Sequence, residues 1–191
     1  MTKSLFTISL ITLTLSCLPI TGGVYAATAE APVAPEVSAP GDIPDSQVFI
    51  VYKSPIGFSI KVPEGWSRKN SKDGTIFNDK YNHISLTYGV SDMPVDLAYA
   101  KSALSPDLVK NGHAVQITKI AEVALRSGKT VKIVYDSNSE PNDVTNKQVR
   151  EENERFYFVK NGKLVVLQLS APKGADNVDQ WQLISSSFKW N

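Results

Sequence analysis

The only two histidines of the 191-residue chain are His83 and His113. Two imidazoles joined by a carboxylate could ligate a divalent metal, but nothing in their spacing requires them to meet. His83 alternates with Ser85 and Thr87, opposite Ile84 and Leu86, which predicts an exposed ring on a strand. His113 follows Asn111-Gly112 at a strand start. The densest charge run is Arg150-Glu151-Glu152-Asn153-Glu154-Arg155. On a strand, Glu152 and Glu154 share one face and Glu151 and Arg155 the other. Paired carboxylates can serve acid–base chemistry or bind Ca²⁺. The reading adopted for this run is a solvated strand whose charges discourage edge pairing. Trp66, Trp181 and Trp190 could stack a ligand, but Trp66 at a turn and Trp181 on an apolar stripe are assigned to the core. The chain has no Gly-x-Ser-x-Gly elbow, no Walker-type loop and no His-Glu-x-x-His helix. No catalytic, cofactor-binding or metal-binding residue is therefore assigned, and no cofactor is expected.

Composition narrows the classes further. A hydrophobic share of 42% and a charged share of 20% suit one globular domain with extensions. Residues 27–47 carry Glu30, Glu36, Asp42 and Asp45 and no base. Beyond them, 19 Lys and Arg face 15 Asp and Glu. That excess is too small, and too scattered, to support nucleic-acid binding. Cys17 is the only cysteine. Its loss with an amino-terminal leader would leave no disulfide, thiol nucleophile or Cys-ligated metal.

The amino terminus reads as an export signal. Lys3 precedes an apolar stretch from Leu5 to Leu18, Pro19 and Gly22-Gly23 break it, and Val24-Tyr25-Ala26 ends in small residues suited to signal peptidase. Residues 1–26 are read as a signal peptide whose apolar core is too short for a stable membrane span. The rival reading is a lipid anchor at Cys17. Ser16 suits it, but Thr14 stands where Leu is preferred, and the Val24-Tyr25-Ala26 site would go unused. Residues 27–47, with Pro32, Pro35, Pro40 and Pro44, are read as a disordered acidic spacer. Deleting residues 27–45 is expected to leave stability nearly unchanged.

The compact unit is placed at residues 48–191. Strands are predicted at Val48–Tyr52, Phe58–Val62, Thr75–Phe77 and Ile84–Tyr88. A helix follows with Asp92 as N-cap and Pro94 near its start, carrying Leu97, Ala100 and Leu104 on one face. A shorter helix restarts at Ser105-Pro106 and stops at Asn111-Gly112. Val115 to Leu125 is a strand with a bulge, Ser127-Gly128-Lys129 a turn, and Val131 to Tyr135 a strand. Residues 136–147 are a polar loop. Asn161-Gly162 marks a hairpin between Phe156–Val159 and Leu164–Leu169, and the latter, almost continuously apolar, is predicted to be central. Asp176 caps a last helix whose stripe is Val178, Trp181, Ile184 and Phe188. Asp179, Gln180 and Ser186 face water, so Gln180→Ala is expected to be nearly neutral. The layout predicts an α+β fold with a central antiparallel sheet flanked by helices.

Residues Gly57-Phe58-Ser59-Ile60-Lys61-Val62-Pro63-Glu64-Gly65-Trp66, the Ser170-Ala171-Pro172 strand end and the closing Ile184-Ser185-Ser186-Ser187-Phe188-Lys189-Trp190 together resemble the PsbP-like superfamily. The resemblance spans roughly residues 48–190. It implies an α/β/α sandwich around an antiparallel sheet. That superfamily includes the extrinsic oxygen-evolving subunit of photosystem II, exported bacterial proteins of unassigned role and a eukaryotic Ran-binding factor. Its members share a fold and differ in function.

Two functions remain open at this stage. One is an exported, non-catalytic binding or accessory module with a protein or envelope partner. The other is an extracytoplasmic enzyme or metal-binding protein whose site gathers scattered carboxylates and histidines. Oligomeric state is not specified by the sequence. The leader makes a direct prediction: intact-mass measurement of the exported chain should find Ala27 at its amino terminus and no lipid. A species starting at an acylated Cys17 would replace this reading.

Overall fold

In a computed structural model, the described residues are 30–38 and 40–191. Residues 1–26, read above as a signal peptide with its cleavage site, and Cys17 lie outside them. Ten strands form two antiparallel sheets. The larger has seven strands in the order β3-β4-β5-β9-β8-β7-β6: β3 (Ser67–Ser71), β4 (Gly74–Asn78), β5 (His83–Val90), β6 (Gln116–Leu125), β7 (Gly128–Asn138), β8 (Arg150–Lys160) and β9 (Lys163–Pro172). The smaller has β1 (Phe49–Ser54), β2 (Phe58–Pro63) and β10 (Lys189–Trp190), with β2 in the middle. Helices are few. α1 (Leu97–Tyr99), a π-helical turn (Ala100–Leu104) and α2 (Ser105–Asn111) form one run, and α3 (Val178–Ser186) lies near the carboxyl end. The fold is thus sheet-dominated α+β. No helix among the described residues is long and apolar enough to cross a membrane.

Strand β9 is the fourth of seven, as its continuous apolar run requires. Its odd-numbered Val165, Leu167 and Leu169 join a core with Phe58, Ile60, Phe156, Phe158, Trp181, Ile184 and Phe188. Val166 instead joins Ala100, Val131, Ile133, Tyr135 and Tyr157, with Leu104 and Leu108 packed against them. Alternation along one strand thereby assigns the small sheet and α3 to one face and the α1–α2 run to the other. The β8–β9 hairpin turns at Asn161 (φ 51°) and Gly162 (φ 75°), the paired left-handed geometry of the tightest hairpins. The bulge expected between Val115 and Leu125 appears as a register shift between Ile117 and Lys119.

Several expectations change. The first helix starts later than expected: Asp96, not Asp92, caps it by accepting from Tyr99 N–H at 2.7 Å. The run 150–155 is not a solvated edge. β8 is paired on both sides, and Arg150 is buried, donating to Ala114 O, Asn138 Oδ1 and Gln116 Oε1 at 2.9–3.1 Å. Its guanidinium is tolerated there because carbonyl and amide oxygens meet it. Within the α3 stripe, Val178 is 71% exposed, whereas Gln180 is buried.

Gln180 is buried because the presumed spacer lies over it. Ile43 is 4% exposed within the main core. Its N–H donates to Asn177 Oδ1 at 2.7 Å, and its carbonyl accepts from Gln180 Nε2 at 3.0 Å. Asn177 Nδ2 donates to Gly41 O at 2.9 Å, and Asp176 N–H to Asp42 Oδ1 at 2.8 Å. Gly41 has φ +123°, and a Cβ there would lie 3.0 Å from Pro172. One apolar residue and a few amide bonds therefore dock residues 41–45, although their composition is that of a loose tether. The separation expected at residue 48 does not hold for this stretch.

These contacts set stability. Trp181→Ala should cost about 3–5 kcal/mol. Gln180→Ala should cost about 1–3 kcal/mol rather than nothing, because a buried carbonyl loses its donor. Deleting residues 27–45 should lower the melting temperature by several degrees, since it removes Ile43 from the core. Denaturant and thermal melts compare the three variants; equal effects for Trp181→Ala and Gln180→Ala would contradict this packing.

Candidate functional site

The face of the large sheet that carries the α1–α2 run is covered only in part. Beside the helices it is polar. Asn153 on β8 and Ser170 on β9 are register partners, and Ser170 Oγ donates to Asn153 Oδ1 at 2.6 Å. Asn153 Nδ2 donates to Ser137 Oγ at 3.0 Å, and Gln168 Nε2 to Ser170 Oγ at 3.1 Å. All four lie on one face because strand side chains alternate. Asn153, Ser170 and Ser137 are buried, and each has its partner, which makes this a satisfied polar floor rather than a reactive one.

Beside that buried set, with Ser137 and Gln168 in its lining, runs an open groove made of two depressions. One, of about 310 Å³, reaches from Asp107 and His113 to Arg155. The other, of about 650 Å³, reaches from Tyr81 and His83 to Lys147. Both are lined by Glu140, Glu151 and Gln168, which form the ridge between them. The fold thus places His113 on one depression and His83 on the other. It does not bring them to one ligand set: among the described residues no group of three His, Cys, Asp or Glu has metal-holding geometry.

Each histidine is already engaged. His83 Nδ1 lies 2.8 Å from Asn78 Oδ1, and partial desolvation lowers its pKa. His113 Nδ1 lies 2.7 Å from Glu30 Oε2, and Nε2 lies 3.1 Å from Glu140 Oε2. Its pKa is raised, first by the Glu30 hydrogen bond and then by the Glu140 and Glu30 charges. The tryptophans form no free platform. Trp66 packs against the core, and Trp190 meets Phe58 and Phe188 edge-on at 6.1 and 5.4 Å.

The charge run supplies the groove's most perturbed group. Glu151 has a pKa pushed up to about 7, mainly by burial and secondarily by Glu140. Arg155, four residues on, lies over Tyr157 at 6.0 Å, and its buried Nε has no partner among the described residues. A carboxyl that titrates near neutrality can accept or donate a hydrogen bond as conditions demand. Strand alternation alone places Glu151 and Arg155 on a common face. It could not show that Glu140 and Gln168 converge on them, because that depends on the β8–β9 register and on the 139–149 loop.

No family model and no curated protein matches this sequence. Solved structures do. Cyanobacterial PsbP (CyanoP) from Synechocystis sp. PCC 6803 superposes with a TM-score of 0.53 at 14% identity, over 80% of this chain and 99% of that one. The Saccharomyces cerevisiae Ran-binding protein Mog1p gives 0.50 at 13% identity, over 76% and 96%. A Pseudomonas aeruginosa protein of unknown function, PA94, gives 0.49 at 10% identity, over 73% and 94%. At such identities the likeness is one of fold, and the fold is PsbP-like.

The raised pKa of Glu151 gives a signed prediction. In the unfolded chain its carboxyl ionises near 4.5, and in the fold near 7. The folded state therefore holds the extra proton between these values, and stability falls as pH rises through that window. Glu151→Gln should stabilise the protein by about 1–3 kcal/mol at about pH 8 and by little near pH 4. Urea melts at both pH values test it, and an equal effect at both would contradict the burial argument.

Proposed function

We propose that this chain is an exported, non-catalytic accessory module that binds a protein partner through the groove lined by His83 and His113. The observation that carries the reading is the groove itself: it is open, walled by the 139–149 loop, and lined by amide, carboxyl and hydroxyl side chains such as Asn138, Gln168, Glu140, Glu151 and Ser85. Such a lining offers hydrogen-bonding groups without an activated nucleophile. Export, to the periplasm or outside the cell, rests on the leader read at residues 1–26. We read the α1–α2 run, the large sheet and the layer holding α3 as the three layers of an α/β/α sandwich. The PsbP-like fold is also carried by a protein described as Ran-binding, which suits a partner-binding role.

A second reading is acid–base chemistry at Glu151, favoured by its pKa near neutrality and by the nearby Arg155. It has no second activated group to complete it.

Site-specific cross-linking tests the first reading. A photo-reactive residue in place of Ser85, on the groove wall, should capture one discrete protein in the exporting host. The rim substitutions Tyr81→Ala and Lys147→Glu should abolish that capture without lowering the melting temperature. Capture that survives both substitutions, or none at all, would overturn the proposal.

A further inference from the structure

Residues 30–33 already lie against the domain as a bound peptide would. The Glu30 carboxylate accepts from Asn138 Nδ2 at 2.8 Å and Gln148 Nε2 at 2.8 Å, and meets His113 Nδ1 at 2.7 Å. Asn138 also reads the peptide backbone in both directions. Its Nδ2 donates to Ala31 O at 3.0 Å, and its Oδ1 accepts from Val33 N–H at 3.0 Å. Asn138 is buried, and Arg150 Nη1 holds the same Oδ1 from behind at 3.1 Å. The receptor side is therefore built into β7 and β8, whereas the ligand side is not. Residues 34–38 are exposed. The root of the segment is fixed independently at Ile43, so residues 30–33 can leave without unseating residues 41–45.

We propose that His113, Asn138 and Gln148 form a recognition site for an extended acidic peptide segment of a protein partner, filled in this chain by its own Glu30-Ala31-Pro32-Val33. The ligand chemistry is legible from the occupant: a carboxylate, then two residues of extended backbone with a proline between them. Proline suits such a ligand because it loses little conformational freedom on binding. The tethered segment competes at an effective concentration in the millimolar range, so it screens the site against weak ligands and yields to stronger ones.

The site also depends on pH for a geometric reason. Both ring nitrogens of His113 face carboxylate oxygens, and only the imidazolium has two N–H donors. Around it stand Glu30 on the segment, Glu140 on the loop after β7, Asp107 and Lys110 on α2, and Arg150, Glu151 and Arg155 on β8. The raised folded-state pKa means that the contribution is fully present below the unfolded histidine value and is lost as pH rises through the folded one.

The proposal rests on the partner-binding reading and adds a site to it. The test uses the exported chain carrying Glu30→Ala, with a second variant lacking residues 27–36 in case residues 31–33 still block the site. The probes are acetyl-Ala-Glu-Ala-Pro-Val-amide and the same peptide with Lys for Glu. NMR should show saturable shifts of the Asn138 and Gln148 side-chain amides with the Glu peptide, about tenfold or more weaker with the Lys peptide. Affinity should fall severalfold between about pH 6 and pH 8.5, and His113→Gln should remove that fall. No shift up to about 20 mM in either variant, equal shifts from both peptides, or a pH dependence that survives His113→Gln would overturn it. Peptide binding without groove cross-linking would leave this site standing and sink the groove reading. Groove cross-linking without peptide binding would do the reverse.

Discussion

Phe188 carries the mutual position of the two sheets. Its ring stacks on Phe158 of β8 at 3.8 Å and on Phe58 of β2 at 5.1 Å, so one side chain is sandwiched between the large sheet and the small one. Trp190 meets Phe58 and Phe188 edge-on, and Asn191 N–H reaches Gly57 O. The residues just after α3 thus close the small sheet and bury its inner face at once. The opposite face is left to the short α1–α2 run, whose Ala100, Leu104 and Leu108 pack with Val131, Ile133, Tyr135, Tyr157 and Val166. The groove lies beside that run.

Much of this frame was legible because it is local. Asn161-Gly162 fixes a hairpin by backbone chirality alone, and Leu164–Leu169 announces a central strand by lacking polar alternation. Other parts had no local signal. Strand β3 reads Ser-Arg-Lys-Asn-Ser and is exposed throughout, so it has no apolar period to detect; it exists because β4 offers it an edge. Arg150 looked like a solvated charge. It is buried because oxygens of Ala114, Asn138 and Gln116, distant in sequence, converge on it. The groove was partly legible. Ser85, Glu151 and Arg155 could be given faces, but their meeting with Glu140 and Gln168 is a matter of register between strands.

The segment before the first strand shows how little docking requires. Its prolines, acids and alanines cannot make a core of their own, and that inference was sound. What it omitted is that a segment can borrow a core. Ile43 enters one that Phe77, Ala175 and Trp181 share, and the carboxamides of Asn177 and Gln180 bond its backbone. Asn177 stands at the N-cap of α3 but makes no cap hydrogen bond. Its side chain serves the incoming segment instead, so the N-cap is Asn177 rather than the expected Asp176, and the residue type suited to capping is used for docking.

The socket for Ile43 has a consequence for the order of events along the chain. Its bonding partners lie 134 and 137 residues downstream, at the start of α3. Closing so long a loop is entropically slow and is rewarded only when the far end is in place. The segment therefore docks last. Until α3 has formed on the sheet, residues 41–45 have no socket to enter. Its settling into place reports that the rest of the molecule is complete.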